Sequence, residues 1–149
     1  MLHDMNSVSD PPVGMVVSDL RLAIGQFLRR LRTEANPSEL NLSQMSTLAR
    51  LEQGGPATTA DLARQESMKP QSMGSVLASL ESEGFVKRQP HPTDGRQVLF
   101  ALTEKGTEER RQRQIARDDW LMTAVGELDP EELRILAAAI PLIRRIGEA

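Results

Sequence analysis

The feature that most constrains this chain is a helix bounded by its own punctuation, Pro70 at one end and Gly84 at the other. Proline at a first helical position gives up an N–H that has no partner there, and its fixed φ already suits a helix. Glycine reaches the left-handed backbone that ends a helix at no steric cost. Just upstream, Thr58 or Thr59 can cap a short helix through Asp61, Leu62, Ala63 and Arg64, which breaks around Ser67 to Lys69. Two short helices meeting across so tight a turn form a helix-turn-helix.

Within the helix from Pro70 to about Glu83, Met73, Val76, Leu77 and Leu80 share one face, and Gln71, Ser72, Ser75, Ala78, Ser79 and Ser82 share the other. That outward face is small and polar, where a solvated helix usually carries long charged side chains. It suits close approach to a surface such as a DNA groove, and it equally suits an ordinary solvated face. After Gly84, Phe85–Gln89 and Gln97–Leu102 read as two strands, with the turn formers Pro90 to Arg96 between them. The pair predicts an antiparallel hairpin with an extended tip, the wing of a winged helix.

The flanks are helical. Val17, Leu20, Ile24, Phe27, Leu28 and Leu31 recur at steps of three and four, marking a helix of about five turns that ends near Asn36-Pro37. A second helix opens at Leu42-Ser43, with Ser43 as its expected N-cap, and stops at Gly54-Gly55-Pro56. Thr103-Glu104 starts a long helix to about Glu127, and Asp129-Pro130 caps another that reaches Ile146. In that last helix Leu133, Leu136, Ile140 and Ile143 share one face, with Ile135, Leu142 and Ile146 near it, more apolar surface than one small domain covers, so a partner is expected. Pro141 predicts a kink. Residues 1–14 have no period and are expected to form a flexible tail.

Composition narrows the function. Without cysteine there is no disulfide, thiol redox sensor or thiolate metal site, and two histidines, His3 and His91, give a zinc site or a histidine-based triad little to build from. No metal and no cofactor are expected. With no paired carboxylates in an apolar setting and no phosphate-binding glycine loop either, the chain does not read as an enzyme. The longest apolar run, Ile135 to Ile143, falls far short of the ~18 residues that span a bilayer, and Asp4 and Asp10 break any secretory signal, so a cytoplasmic location is expected. A net charge of −3 argues against a nucleic-acid partner. The distribution argues the other way, because Lys87, Arg88 and Arg96 face only Asp94 between Phe85 and Thr103.

Taken in order, Thr59-Ala60-Asp61-Leu62-Ala63, Lys69-Pro70-Gln71-Ser72, Leu80-Glu81-Ser82-Glu83-Gly84-Phe85-Val86, Arg88, Asp94-Gly95-Arg96 and Leu102-Thr103 resemble the pattern of the multiple antibiotic resistance regulator (MarR) family of bacterial transcription factors. The resemblance is close over about Leu42 to Gly106. It implies a mainly α fold with a small β-hairpin: a winged helix-turn-helix lobe at 42–103, an N-terminal dimerisation helix and connection at 15–41, and C-terminal dimerisation helices at 104–149. It also implies a homodimer on double-stranded DNA, with the Pro70–Glu83 helix in the major groove and the wing in a neighbouring minor groove. On that analogy Lys69, Gln71, Ser72, Ser75, Ser79, Arg88 and Arg96 are the candidate DNA contacts, with Arg96 in the minor groove, whose negative potential favours a guanidinium.

Asp94, which phosphate would repel, is assigned to holding the wing, by pairing with Arg88 or by capping loop N–H groups. The family analogy adds repression and release by a small aromatic effector, bound near Phe27, Met45, Leu48 and Trp120. At Gly74 and Ser75 this sequence departs from the family, whose members often carry Thr and a longer basic residue there, so modest direct base readout is expected. The competing reading is a winged-helix protein-interaction module without sequence-specific DNA binding.

Overall fold

The structure, a computed structural model, describes residues 9–149. The first eight residues of the expected tail lie outside that range, and the helix starts earlier than the sequence implied, at Val13 rather than beyond Gly14. Pro12 precedes it with an extended ψ, and its carbonyl accepts from Met15 and Val16 N–H. Helix α1 (Val13–Glu34) runs to a short connection, then come α2 (Leu42–Gly54), β1 (Ala57–Thr58), α3 (Thr59–Gln65), α4 (Pro70–Ser82), β2 (Val86–Pro90), β3 (Val98–Leu102), α5 (Glu104–Gly126) and α6 (Pro130–Gly147).

Side-chain caps set most of these starts. Asn41, not Ser43, caps α2: its amide oxygen accepts from Gln44 N–H while the Gln44 side chain takes Asn41 N–H, a reciprocal capping box. The Ser43 carbonyl instead accepts from the Thr47 hydroxyl one turn on. Thr58 caps α3, Thr103 caps α5, and Asp129 with Glu132 forms a second capping box ahead of Pro130 on α6. Helix α6 continues as one helix through Pro141.

The hairpin proves to be part of a three-stranded antiparallel sheet in the order β1-β3-β2. Strand β1 is only two residues long, pairing Ala57 with Phe100 and Thr58 with Leu99, too short to leave an alternating pattern in the sequence. Strand β2 pairs in register with β3 from Val86–Leu102 to Pro90–Val98.

The core lies inside this lobe. Leu48, Leu62, Met73, Leu77 and Leu80 have no exposed surface, and Leu40, Leu51, Phe85, Val86 and Phe100 close around them. At about 1.5–3 kcal/mol per fully buried large aliphatic side chain, this cluster supplies the lobe's cohesion. Neither α1 nor α6 buries a residue. Their apolar faces, including Val13, Val17, Leu22, Phe27, Ile135, Ile140, Leu142 and Ile146, are exposed in the single chain.

Two glycines are set by geometry. Gly84 has φ +83° and ends α4 as its sequence position implied. Gly106 lets the first turn of α5 lie on the Phe85 carbonyl, since a Cβ there would sit 2.1 Å from that oxygen. Gly74, by contrast, has nothing within 4 Å of where its Cβ would be. Gly106→Ala is therefore expected to cost about 1–3 kcal/mol. Gly74→Ala should be neutral or stabilise by up to about 1 kcal/mol. Urea midpoints of the two variants test this, and equal midpoints would show that the Gly106 contact relaxes freely.

Candidate nucleic-acid interface

Helix α4 meets the lobe through Met73, Leu77 and Leu80, so the opposite face is presented outward. Gln71, Ser72, Ser75 and Ala78 are exposed there, and Lys69 is exposed at the N-cap. Ser79 differs from the outward placement inferred for it. It is half-buried, its hydroxyl accepts from Gln44 Nε2 at 3.0 Å and donates to the Val76 carbonyl at 2.8 Å, so it binds α4 to α2. Thr47, fully buried, adds a contact from α2 to the Met73 sulfur. The turn ahead of α4 puts Ser67 at φ +53°, a left-handed conformation uncommon for a non-glycine residue. The Ala63 carbonyl accepts from Met68 N–H at 2.8 Å and steadies that turn.

Glu66, at the end of α3, ties the same turn to α2, accepting from Ser46 Oγ at 2.6 Å and from Arg50 Nε at 2.5 Å. Burial pushes its pKa up, but the Ser46 hydroxyl and the Arg50 guanidinium outweigh that and hold the carboxyl below its ordinary value.

At the wing, the tip is held by side chains accepting from backbone N–H groups. His91 Nδ1 accepts from Thr93 N–H at 3.2 Å and from Asp94 N–H at 3.0 Å, and Asp94 Oδ1 accepts from Arg96 N–H at 3.0 Å. Of the two roles inferred for Asp94, capping the loop is the one present. Arg88 instead pairs with Glu81 on α4, because the β2–β3 register places it opposite Phe100, midway along the strands and short of the tip. Arg96 is exposed at the tip, and among the described residues neither Arg96, Lys69 nor Lys87 enters an ion pair. The wing's base is closed by Thr103, whose hydroxyl donates to the Gly84 carbonyl and accepts from Gly106 N–H.

The lobe joins the long helices through a buried cluster that the sequence reading missed. Arg113, 1% exposed, pairs with Glu109 and donates to the Ala35 carbonyl at 2.9 Å and to Asn36 Oδ1 at 3.1 Å, with the Met45 sulfur 2.9 Å from Nη1. Ser38 Oγ donates to Glu109 at 2.5 Å. The only trace in the sequence is an i,i+4 Glu–Arg pair, indistinguishable from a solvated one. Of the residues inferred around an effector, Phe27 and Trp120 meet as a tilted ring pair with centroids 5.9 Å apart, and Leu48 lies in the core. Met45 lines a cavity of about 260 Å³ with Arg29, Arg32, Thr33 and Asn36. No described helix is long and apolar enough to cross a membrane.

Residues 40–98 match the family model described as MarR family. An HTH-type transcriptional regulator of Mycobacterium leprae, ML2140, is 41% identical over 128 residues, 86% of this chain and 90% of that protein. The HTH-type transcriptional repressor Rv2887 of Mycobacterium tuberculosis is 32% identical over 103 residues, 68% of this chain and 71% of that one. In fold alone, the chain resembles a solved F27L mutant of MepR from S. aureus bound to an oligodeoxyribonucleotide, at a TM-score of 0.70 and 19% identity, covering 87% of this chain and 96% of that one.

A carboxyl held below its unfolded value stabilises the fold above that value, and the contribution fades as pH falls through the folded pKa. Glu66→Gln is thus expected to lower the urea midpoint at pH 7, with the gap to the parent protein closing below about pH 4. A gap that stays constant with pH would show that the carboxylate's charge does not matter to this turn.

Proposed function

The chain belongs to the MarR family, and on that premise we propose that it is a sequence-specific DNA-binding transcriptional repressor acting as a homodimer on a pseudo-palindromic operator. The observation that carries this reading is the joint exposure of Gln71, Ser72 and Ser75 on α4 and of Arg96 on the wing, both rooted in one core. A helix with a small polar face can approach base edges closely in the major groove. An exposed guanidinium at a hairpin tip suits the narrow, electronegative minor groove. Lys69 and Lys87 add phosphate-facing charge, which positions the protein without reading sequence. The relative named as a repressor favours repression, by excluding polymerase from the promoter.

Helices α1 and α6 form the dimer in this reading. Large apolar side chains exposed along both would otherwise stay in water, and two copies can cover each other's faces. Two-fold symmetry then sets half-sites about 34 Å apart, one turn of DNA. The effector is a small aromatic compound seated in the cavity beside Met45, where α1 meets the lobe. The protein works where the chromosome is, in the cytoplasm, and carries out no catalysis of its own.

Fluorescence anisotropy against a duplex from the promoter of its own coding region, with a scrambled duplex beside it, tests the reading. Tight binding that prefers the promoter and weakens steeply with salt is expected. Arg96→Ala should cost about 1–3 kcal/mol. Small phenolic compounds should release the bound duplex. Equal weak binding to both duplexes would favour the protein-interaction module, and a protein that ignores every phenolic compound would remove the effector.

Mass measurement by sedimentation tests the dimer: the parent chain should run at twice its chain mass and Ile140→Glu, on the exposed face of α6, at one. A parent protein that sediments as a monomer at micromolar concentration would overturn the dimeric reading.

A further inference from the structure

Side chains on a strand alternate between faces, so the register of β2 on β3 fixes where Arg88 emerges. Arg88 pairs with Phe100, and Phe100 belongs to the core cluster at 6% exposure. Arg88 therefore leaves the sheet on the face that packs against the lobe. Its guanidinium carbon lies 5.4 Å from the Phe100 ring centroid, and its Nε donates to both carboxylate oxygens of Glu81, at 3.0 and 3.3 Å. Glu81 sits in the last turn of α4, ten residues beyond Gln71, about 15 Å along the helix at 1.5 Å per residue. Arg88 is thus directed at the end of α4 remote from the turn that carries Lys69, Gln71 and Ser72.

Because the sheet order is β1-β3-β2, β2 is an edge strand with no further strand to hold it. Among the described residues, Arg88–Glu81 is the one ion pair that joins the wing to α4. From this geometry we infer that Arg88 is a positioning residue, which sets the angle between wing and recognition helix, rather than a phosphate contact. The inference rests on the DNA-binding reading above and deepens it: helix and wing address two different grooves, so DNA affinity depends on the angle between them as well as on the residues they carry. Glu81 is its partner in that role, although as an acidic residue on a DNA-binding lobe it would by charge alone oppose binding.

The two readings of Arg88 predict opposite signs. Anisotropy titrations of the promoter duplex over a range of salt would compare the parent chain with Glu81→Gln, Arg88→Ala and the exchange of Glu81→Arg with Arg88→Glu. If Arg88 positions the wing, Glu81→Gln weakens binding about three- to tenfold despite removing a negative charge. Arg88→Ala then weakens binding without changing the salt slope, and the exchange recovers most of the loss. If Arg88 contacts phosphate, Glu81→Gln frees it and binding tightens, Arg88→Ala lowers the slope by about 1, and the exchange recovers nothing; any of these overturns the inference.

Amide hydrogen exchange of Val98–Leu102 in the DNA-free protein gives a second readout. Faster exchange in Glu81→Gln is expected, and unchanged protection would overturn the anchor. A parent chain that binds neither duplex would instead overturn the regulatory reading, and the exchange rates would still decide whether the pair anchors the wing.

Discussion

The buried guanidinium of Arg113 is the joint on which the arrangement of the chain depends. Removing an arginine from water costs several kcal/mol unless its charge and its N–H groups find partners in fixed places. Glu109 supplies the charge from one turn earlier on α5, and the two terminal nitrogens find the Ala35 carbonyl that ends α1, Asn36 that opens the connection and the Met45 sulfur of α2, while Nε is buried without a partner. Asn36 in turn holds both the N–H and the carbonyl of Leu40, and Ser38 donates to Glu109. One side chain thereby sets the direction in which α1 leaves the lobe relative to α5. Apolar replacements of buried ion pairs often leave stability unchanged, so what such a cluster supplies is a defined geometry more than cohesion.

Cohesion comes from the leucine and methionine core beneath α4, and that core explains why α4 can present a plain outer face. Met73, Leu77 and Leu80 hold the helix from below, while Gln44, Thr47 and Ser79 fix it to α2 by polar contacts at its flank. Nothing on the outward side is needed for packing, so Gln71, Ser72, Ser75 and even Gly74 are free to be chosen for what they meet. The wing is built on the same base. Thr103 links the end of α4 to the start of α5, Lys105 reaches the Glu83 carbonyl and lies over the Phe85 ring, and Gly106 admits the close approach of the two segments.

Much of this was legible because it depends on local rules. Pro70 and Gly84 bounded α4, the turn formers from Pro90 to Arg96 marked the wing, and the outward exposure of Gln71, Ser72 and Ser75 follows from the helical period. The errors came where a side chain had more than one local option. Ser43 and Asn41 can both cap a helix, and only the reciprocal bond to Gln44 favours Asn41. Ser79 lies by period at the margin of the outer face, and a glutamine from α2 draws it inward. For Asp94 two roles stayed open, and the register decides between them: Arg88 lies midway along β2 and turns to Glu81 on α4, so Asp94 caps the loop instead.

The sequence alone determined the order of the helices and the hairpin, the apolar face of each helix and the family pattern from Thr59 to Thr103, because helix periods, caps and turns are written within a few residues of one another. Tertiary structure decided what depends on long separations: the two-residue strand β1, the His91 and Asp94 caps at the wing tip, the pairing of Arg88 with Glu81, and above all the burial of Arg113. An arginine on a helix surface and an arginine inside a protein read the same along the chain. They differ only when another segment, here Ala35 to Met45 nearly seventy or more residues away, folds over one of them and replaces its water.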